Sequence, residues 1–165
     1  MHTEHIPTRA GEFTATFSER GLASLDFPRA NSARNGTNGN STRPASVARW
    51  VRLTRSALDD VLDGREPREL PPFDLAAGTD FQRSVWRELL KIRSGSTRSY
   101  GELAARLRKP GAARAVGAAC GANPVPVLVP CHRVLAANGR LGGFSGGLDW
   151  KKRLLSAEGV VPRGA

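Results

Sequence analysis

Proline recurs at positions 124, 126 and 130 in the run Asn123-Pro-Val-Pro-Val-Leu-Val-Pro130, and Cys131, His132 and Arg133 follow directly. Each proline removes a backbone donor and holds φ near −65°, so no helix can run through this segment. Its apolar alternation predicts an extended, buried path that delivers Cys131 on a rigid stalk. A thiol held there beside two side chains able to carry positive charge is set up to become the nucleophilic thiolate. With an unperturbed pKa near 8.5, about 3% of a thiol is ionised at pH 7, so the motif needs a base or a positive field close by. The only other cysteine, Cys120, lies in an Ala/Gly-rich stretch and reads as a small core hydrophobe.

Adjacent residues on an extended chain point to opposite sides, so His132 is expected to reach Cys131 through a bound water. That geometry calls for a third group to orient the imidazole. Leu148 to Glu158 reads as a helix with an Asp149–Arg153 pair at i,i+4 and Gly159 as its C-cap. Glu158 then stands in the last turn, where a negative charge opposes the helix dipole by about 0.3–1 kcal/mol. A solvated surface glutamate could bear that cost, but a glutamate orienting His132 explains it better.

Charge is distributed unevenly over the 165 residues. Residues 1–80 carry ten Lys and Arg against eleven Asp and Glu, whereas residues 81–165 carry fifteen against four, so the whole excess behind the net +10 lies in the second half. A one-sided basic field draws polyanions, nucleic acid or an anionic membrane surface. No apolar run approaches the length of a membrane span and the N-terminus lacks a signal-peptide core, so a soluble, intracellular, cytoplasmic protein is expected. Two cysteines cannot build a disulfide framework, and histidines at 2, 5 and 132 fit no structural zinc spacing; neither metal nor cofactor is expected.

The pattern of elements predicts an α+β fold in two parts. A small N-terminal domain, residues 1–77, contains a β-hairpin over Gly11–Phe27, a flexible loop at 29–46 and a helix over Trp50–Leu62 ending at Gly64. Pro67, Pro71 and Pro72 make the following segment an extended connection. A mainly helical C-terminal domain, residues 78–165, opens at Thr79 or Asp80 with an apolar stripe of Phe81, Val85, Trp86, Leu89, Leu90 and Ile92. Ser99 and Glu102 form a capping-box pattern for a short helix, Arg108 to Gly111 breaks it, and helical composition resumes at Ala112–Ala122. Two short helices around a Gly-containing turn in a basic region outline a helix-turn-helix.

Nine of the twelve residues from Gly111 to Ala122 are Gly or Ala. So bare a surface permits either tight packing on a neighbouring helix or close approach to a DNA groove, with Arg114 as the one long probe. Gly139-Arg-Leu-Gly-Gly-Phe-Ser-Gly-Gly147 lacks the GK[ST] of a phosphate loop and reads as a mobile wall able to close on a flat ligand.

Taken together, Asn123-Pro-Val-Pro-Val-Leu-Val-Pro-Cys-His-Arg-Val134, the Gly-Gly-Phe-Ser-Gly-Gly-Leu segment and Leu154-Leu-Ser-Ala-Glu-Gly159 resemble the O6-alkylguanine-DNA alkyltransferases. The likeness is close over about residues 79–161; residues 1–77 fit the variable N-terminal domain of that family in length and hairpin pattern. It implies DNA repair by direct reversal, with Cys131 as a once-only alkyl acceptor, His132 as base through a water, Glu158 as orienter of His132 and Asn123 supporting the turn behind the thiol. It further implies that Tyr100 helps turn the target nucleotide and hydrogen-bonds the purine, and that Arg114, flanked by Ala113 and Ala115, fills the vacated base stack from the minor groove of double-stranded DNA. Ser145 would bond near O6, Val134 and Phe144 would line the pocket, and Lys151 would position the closing loop. Many family members carry Tyr where this chain has Phe144, so that wall is expected to be purely apolar. A monomer without cofactor is expected; O4-alkylthymine is left open as a second substrate.

Two rivals remain at this level. One is a noncatalytic helix-turn-helix protein that binds lesions for other repair enzymes. The other is a cysteine hydrolase built on Cys131 and His132.

Overall fold

Tight turns at Thr8–Gly11 and Ser18–Gly21 fold the start of the chain into an antiparallel sheet of β1 (His2–Thr8), β2 (Gly11–Ser18) and β3 (Gly21–Asp26), in that order. The computed structural model describes residues 1–30 and 42–164. The expected hairpin is β2–β3, with an irregularity at Thr16/Phe17. Strand β1 has no counterpart in the sequence reading, because only Ile6 of its seven residues is buried and an edge strand with one wet face shows little apolar alternation. Its Pro7 is tolerated at such an edge.

Helix α1 spans Ala45–Leu62 and so begins five residues before Trp50. The expected loop at 29–46 is therefore corrected at its end, where Ala45 and Ser46 are helical; residues 31–41 of it lie outside the described residues. Pro44 serves as N-cap, a position where its missing N–H costs nothing. The helix stops at Gly64, whose φ of 76° lets its N–H reach Val61 O (2.9 Å) while Arg65 N–H reaches Asp60 O (2.8 Å), a Schellman closure.

Beyond it, the proline-rich connection pairs with the sheet: Leu22 N–H donates to Pro72 O at 2.8 Å and Asp74 N–H to Leu22 O at 2.9 Å. Gly21 is required there, since a Cβ would stand 2.2 Å from Pro72 O. Four further helices follow: α2 (Asp80–Leu89), α3 (Tyr100–Arg106), α4 (Ala113–Gly121) and α5 (Leu148–Ala157). The expected capping box of Ser99 with Glu102 forms, and of the two N-cap candidates at the start of α2 it is Thr79 that caps, in a second box with Gln82. Helix α2 ends before Leu90, which is exposed rather than part of the buried stripe.

One apolar core runs through the described residues, from Phe13, Phe17 and Leu22 of the sheet through Leu58 and Val61 of α1 to Val85, Leu103, Val116 and Leu154. Helix α4 buries Val116, Ala119 and Cys120 against α2 and α3, and the Trp86 indole donates to Ala119 O at 2.8 Å. Its opposite face, with Arg114, Ala115 and Ala118, is exposed, so the small residues serve packing on one side and leave a bare surface on the other. A two-residue parallel pairing of β4 (Arg98–Ser99) with β5 (Val134–Leu135) ties the start of α3 to the chain just after Cys131.

Candidate active site

The run from Asn123 to Pro130 is buried as expected but not extended. It coils into turns, with Val129 N–H donating to Val125 O at 3.0 Å and Val127 in the left-handed region at φ 75°. Asn123 is the staple: its Nδ2 donates to Val129 O (2.8 Å) and its Oδ1 accepts from Val125 N–H (3.0 Å). Prolines exclude a helix without imposing a strand, and a buried amide bonded to both sides of a turn selects the compact alternative. Cys131–Arg133 continues as one 3-10 turn, correcting the extended stalk.

His132 is fully buried, and its Nε2 lies 3.0 Å from Glu158 Oε1. Glu158 is the C-cap of α5 rather than a last-turn residue, and Gly159 follows in the left-handed conformation at φ 75°. Burial pushes His132 below its ordinary pKa; Glu158 counteracts this, and the cations of Arg133 and Lys151 add to the depression. The ring is therefore neutral near pH 7. With Nε2 against a carboxylate, the proton is assigned to Nε2 and the lone pair to Nδ1. Nδ1 is the one buried side-chain nitrogen or oxygen among the described residues with no hydrogen-bond partner.

Arg133 does not bracket the sulfur, contrary to expectation. It turns away to Glu158, donating from Nε at 3.0 and 3.1 Å and from Nη2 at 2.8 Å, while Nη1 donates to Ile92 O at 2.6 Å. Burial alone would raise the Glu158 pKa, but the hydrogen bonds from His132 and Arg133 outweigh it and hold the carboxyl at about 2. The cation near Cys131 is instead Lys151. Burial pushes the Cys131 thiol up, and Asn123 and Lys151 pull it back only in part. At rest the sulfur is a protonated thiol, so its ionisation must be coupled to a base. The expected Asp149–Arg153 pair is absent among the ion pairs of the described residues; Arg153 lies over the Trp150 ring, 5.2 Å from its centroid.

Cys131 opens on a cavity of about 730 Å³ whose lining includes Tyr100, Ala113, Arg114, Phe144 and Ser145. The structure thus gathers five of the residues singled out in the sequence around one sulfur. Burial, with lesser effects of the two cysteines, raises the Tyr100 phenol to about 12, so it stays a donor. Lys151 is fully buried behind the wall, donating to Val134 O at 2.7 Å and Gly143 O at 3.1 Å; desolvation lowers its pKa to about 8. Val134 does not reach the cavity surface: its side chain is in the core and its carbonyl holds Lys151. Ala115 is exposed beside Arg114 and likewise lies outside the lining. Cys120, expected only as core filler, is buried and also lines the cavity.

Known proteins share this arrangement of elements. Residues 80–160 match the family model described as 6-O-methylguanine DNA methyltransferase, DNA binding domain. A methylated-DNA–protein-cysteine methyltransferase of Mycobacterium tuberculosis is 51% identical over 106 residues, 62% of this chain and 64% of that protein. One from Salmonella typhimurium is 57% identical over 84 residues, 51% of this chain and 49% of that protein. These matches thus span between 49% and 64% of the curated relatives' length. Solved structures align far more widely. The crystal structure of Mycobacterium tuberculosis OGT in complex with DNA superposes with a TM-score of 0.74 at 36% identity, covering 96% of this chain and 92% of that one. The O6-methylguanine-DNA methyltransferase from Pyrococcus kodakaraensis gives 0.67 at 27% identity, covering 96% and 98%. Since the likeness extends through the N-terminal sheet as well as the thiol-bearing half, the chain belongs to the O6-methylguanine-DNA methyltransferase family.

Proposed function

We propose that this protein repairs DNA by moving the alkyl group of O6-alkylguanine onto Cys131 Sγ, once per molecule. The observation that carries the reading is the free, neutral His132 Nδ1, held by Glu158 through the opposite ring nitrogen and next in sequence to a buried thiol that opens on a cavity. Such a base accepts the thiol proton through a bridging water. The thiolate then attacks the O6-bound carbon in line: the S–C bond forms, the C–O6 bond breaks, and its electron pair leaves with guanine. Tyr100, protonated and in the cavity lining, donates toward the purine as charge develops there.

A thioether is a poor leaving group, so the product sulfur stays alkylated and the protein does not turn over. To bring a base to a thiol that is itself buried, the nucleotide must leave the duplex. Arg114 stands at the cavity lining on the bare face of α4 and would occupy the stack, with the small flanking residues Ala113 and Ala115 admitting the minor groove. Ser145 and Phe144 would meet the base, and Lys151 would hold their loop through Gly143 O. In this reading residues 78–165 form the alkyltransferase domain and residues 1–77 its partner. One chain supplies every group of the site, consistent with action as a monomer.

DNA carrying radiolabelled O6-methylguanine tests this directly. Label is expected on the protein at a stoichiometry near one and none on Cys131→Ser. Binding without transfer would favour the noncatalytic lesion binder, and repeated turnover on an ester or amide would favour the hydrolase.

A further inference from the structure

The cavity wall at Gly143–Ser145 has little of its own to fix it, because glycines stand at 142, 143, 146 and 147. Two side chains outside the wall hold it. Lys151 does so through Gly143 O. The second is Phe27, the residue after β3, whose ring centroid lies 5.7 Å from that of Phe144 in an edge arrangement. The same ring packs 4.9 Å from Trp150 of α5 and 5.7 Å from Phe13 of β2. It also touches the main chain of the wall, since a Cβ on Gly146 would fall 2.4 Å from Phe27 Cε2. Phe27 is itself pinned, because Pro28 covers Gly11 so closely that a Cβ there would meet Pro28 Cβ at 2.7 Å.

From this geometry we infer that Phe27, in the N-terminal part of the chain, determines which O6 substituents the cavity accepts. Phe27 does not line the cavity and touches no reacting atom, so it is a positioning residue acting through Phe144 and Gly146. Dispersion contacts fall off within an ångström, so a wall backed by a ring stands where the ring puts it. Removing the ring leaves room behind Phe144 into which a glycine-rich segment can retreat, widening the space over Cys131. A methyl group on Gly146 has the opposite effect, because it must displace the wall away from Phe27, a ring that stands outside the cavity. The inference rests on the alkyl-transfer reading above and adds to it a determinant of substituent size.

The test is the ratio of single-turnover rates on oligonucleotides carrying O6-benzylguanine and O6-methylguanine, a quantity from which the folded fraction cancels. Phe27→Ala should raise the benzyl-to-methyl ratio by about tenfold, the range in which an apolar pocket discriminates by size, and Phe27→Leu should fall between it and the parent. Gly146→Ala should lower the ratio by about tenfold, and Phe27→Ala with Gly146→Ala should return toward the parent value, since the added methyl occupies space the ring has vacated. Equal loss on both substrates in Phe27→Ala, or a Gly146→Ala penalty that is the same with and without Phe27, would overturn the inference while leaving alkyl transfer standing. A parent protein that transfers neither group would overturn both.

Discussion

Arg133 donates to both carboxylate oxygens of Glu158, and one of those oxygens also meets His132 Nε2. The glutamate that orients the base is therefore fixed by a cation from the residue next to the base, and all three groups are buried. Burying a carboxylate is costly unless it is paired and fully hydrogen-bonded, and this fork meets that demand.

Removing the fork leaves Glu158 as a buried charge with much of its compensation gone. Arg133→Met should lower unfolding stability by about 3–5 kcal/mol, measured by urea denaturation at pH 7. The double variant with Glu158→Gln should lose less than the two single losses combined, because the stranded charge is then absent. Strict additivity would show that the two residues do not act as a pair.

Glu158→Gln removes the one neighbour that raises the His132 pKa, so the histidine becomes a weaker base. Alkyl transfer at neutral pH should slow by about 10²-fold, with the acidic limb of the rate profile displaced to lower pH. A profile superimposable on that of the parent would remove Glu158 from its assigned role.

Acid should unfold the protein through these same groups. Glu158 titrates at about 2 in the folded state against an ordinary 4.5, so its stabilisation is complete above pH 4.5 and is lost as pH falls toward 2. His132 is depressed below 6.5, so folding favours its neutral form and this contribution fades as pH drops below 6.5. Both effects have the same sign. The urea midpoint should fall steadily from pH 7 to pH 3, and a flat midpoint over that range would contradict the burial of this pair.

Asn123→Ala removes two buried hydrogen bonds that close the turn around Val127, at about 1–3 kcal/mol for each group left unpaired. It also removes the side chain that most favours the Cys131 thiolate. Thermal melting should drop, and a soluble disulfide reagent should react more slowly with Cys131 at fixed pH in the protein that remains folded. Unchanged thiol reactivity would confine Asn123 to the turn.

Arg114→Ala should weaken transfer from duplex DNA and leave transfer from free O6-benzylguanine nearly unchanged, because a group that fills a base stack has nothing to fill when there is no duplex. Equal loss on both substrates would show that Arg114 acts in the cavity itself.

The helix ends that the sequence predicts correctly each rest on partners within five positions. The Ser99–Glu102 box, the N-cap at Thr79 and the glycines at 64 and 159 are local devices, decided by residues close in sequence. The buried face of the β2–β3 hairpin followed from a period of two for the same reason. Strand β1 is mostly polar and carries no apolar period, and the first turn of α1, Ala45-Ser46-Val47-Ala48, is too short and too small-sided to show one; pairing with β2 stabilises the first and burial of Val47 the second.

In the site, the identities of Cys131, His132 and Glu158 could be argued from residue type and spacing, but the partners of Arg133 could not. A guanidinium beside a thiol in sequence has several acceptors within reach of its long side chain, and the chosen ones lie 25 and 41 residues away on α5 and after α2. The cation near the sulfur is Lys151, twenty positions beyond it and brought close by the packing of α5. Short-range order in this chain is set by capping, turn and periodicity rules that act over a few residues. Which charge meets which is a property of burial: once water is excluded, each ionised group must find its counterpart in space.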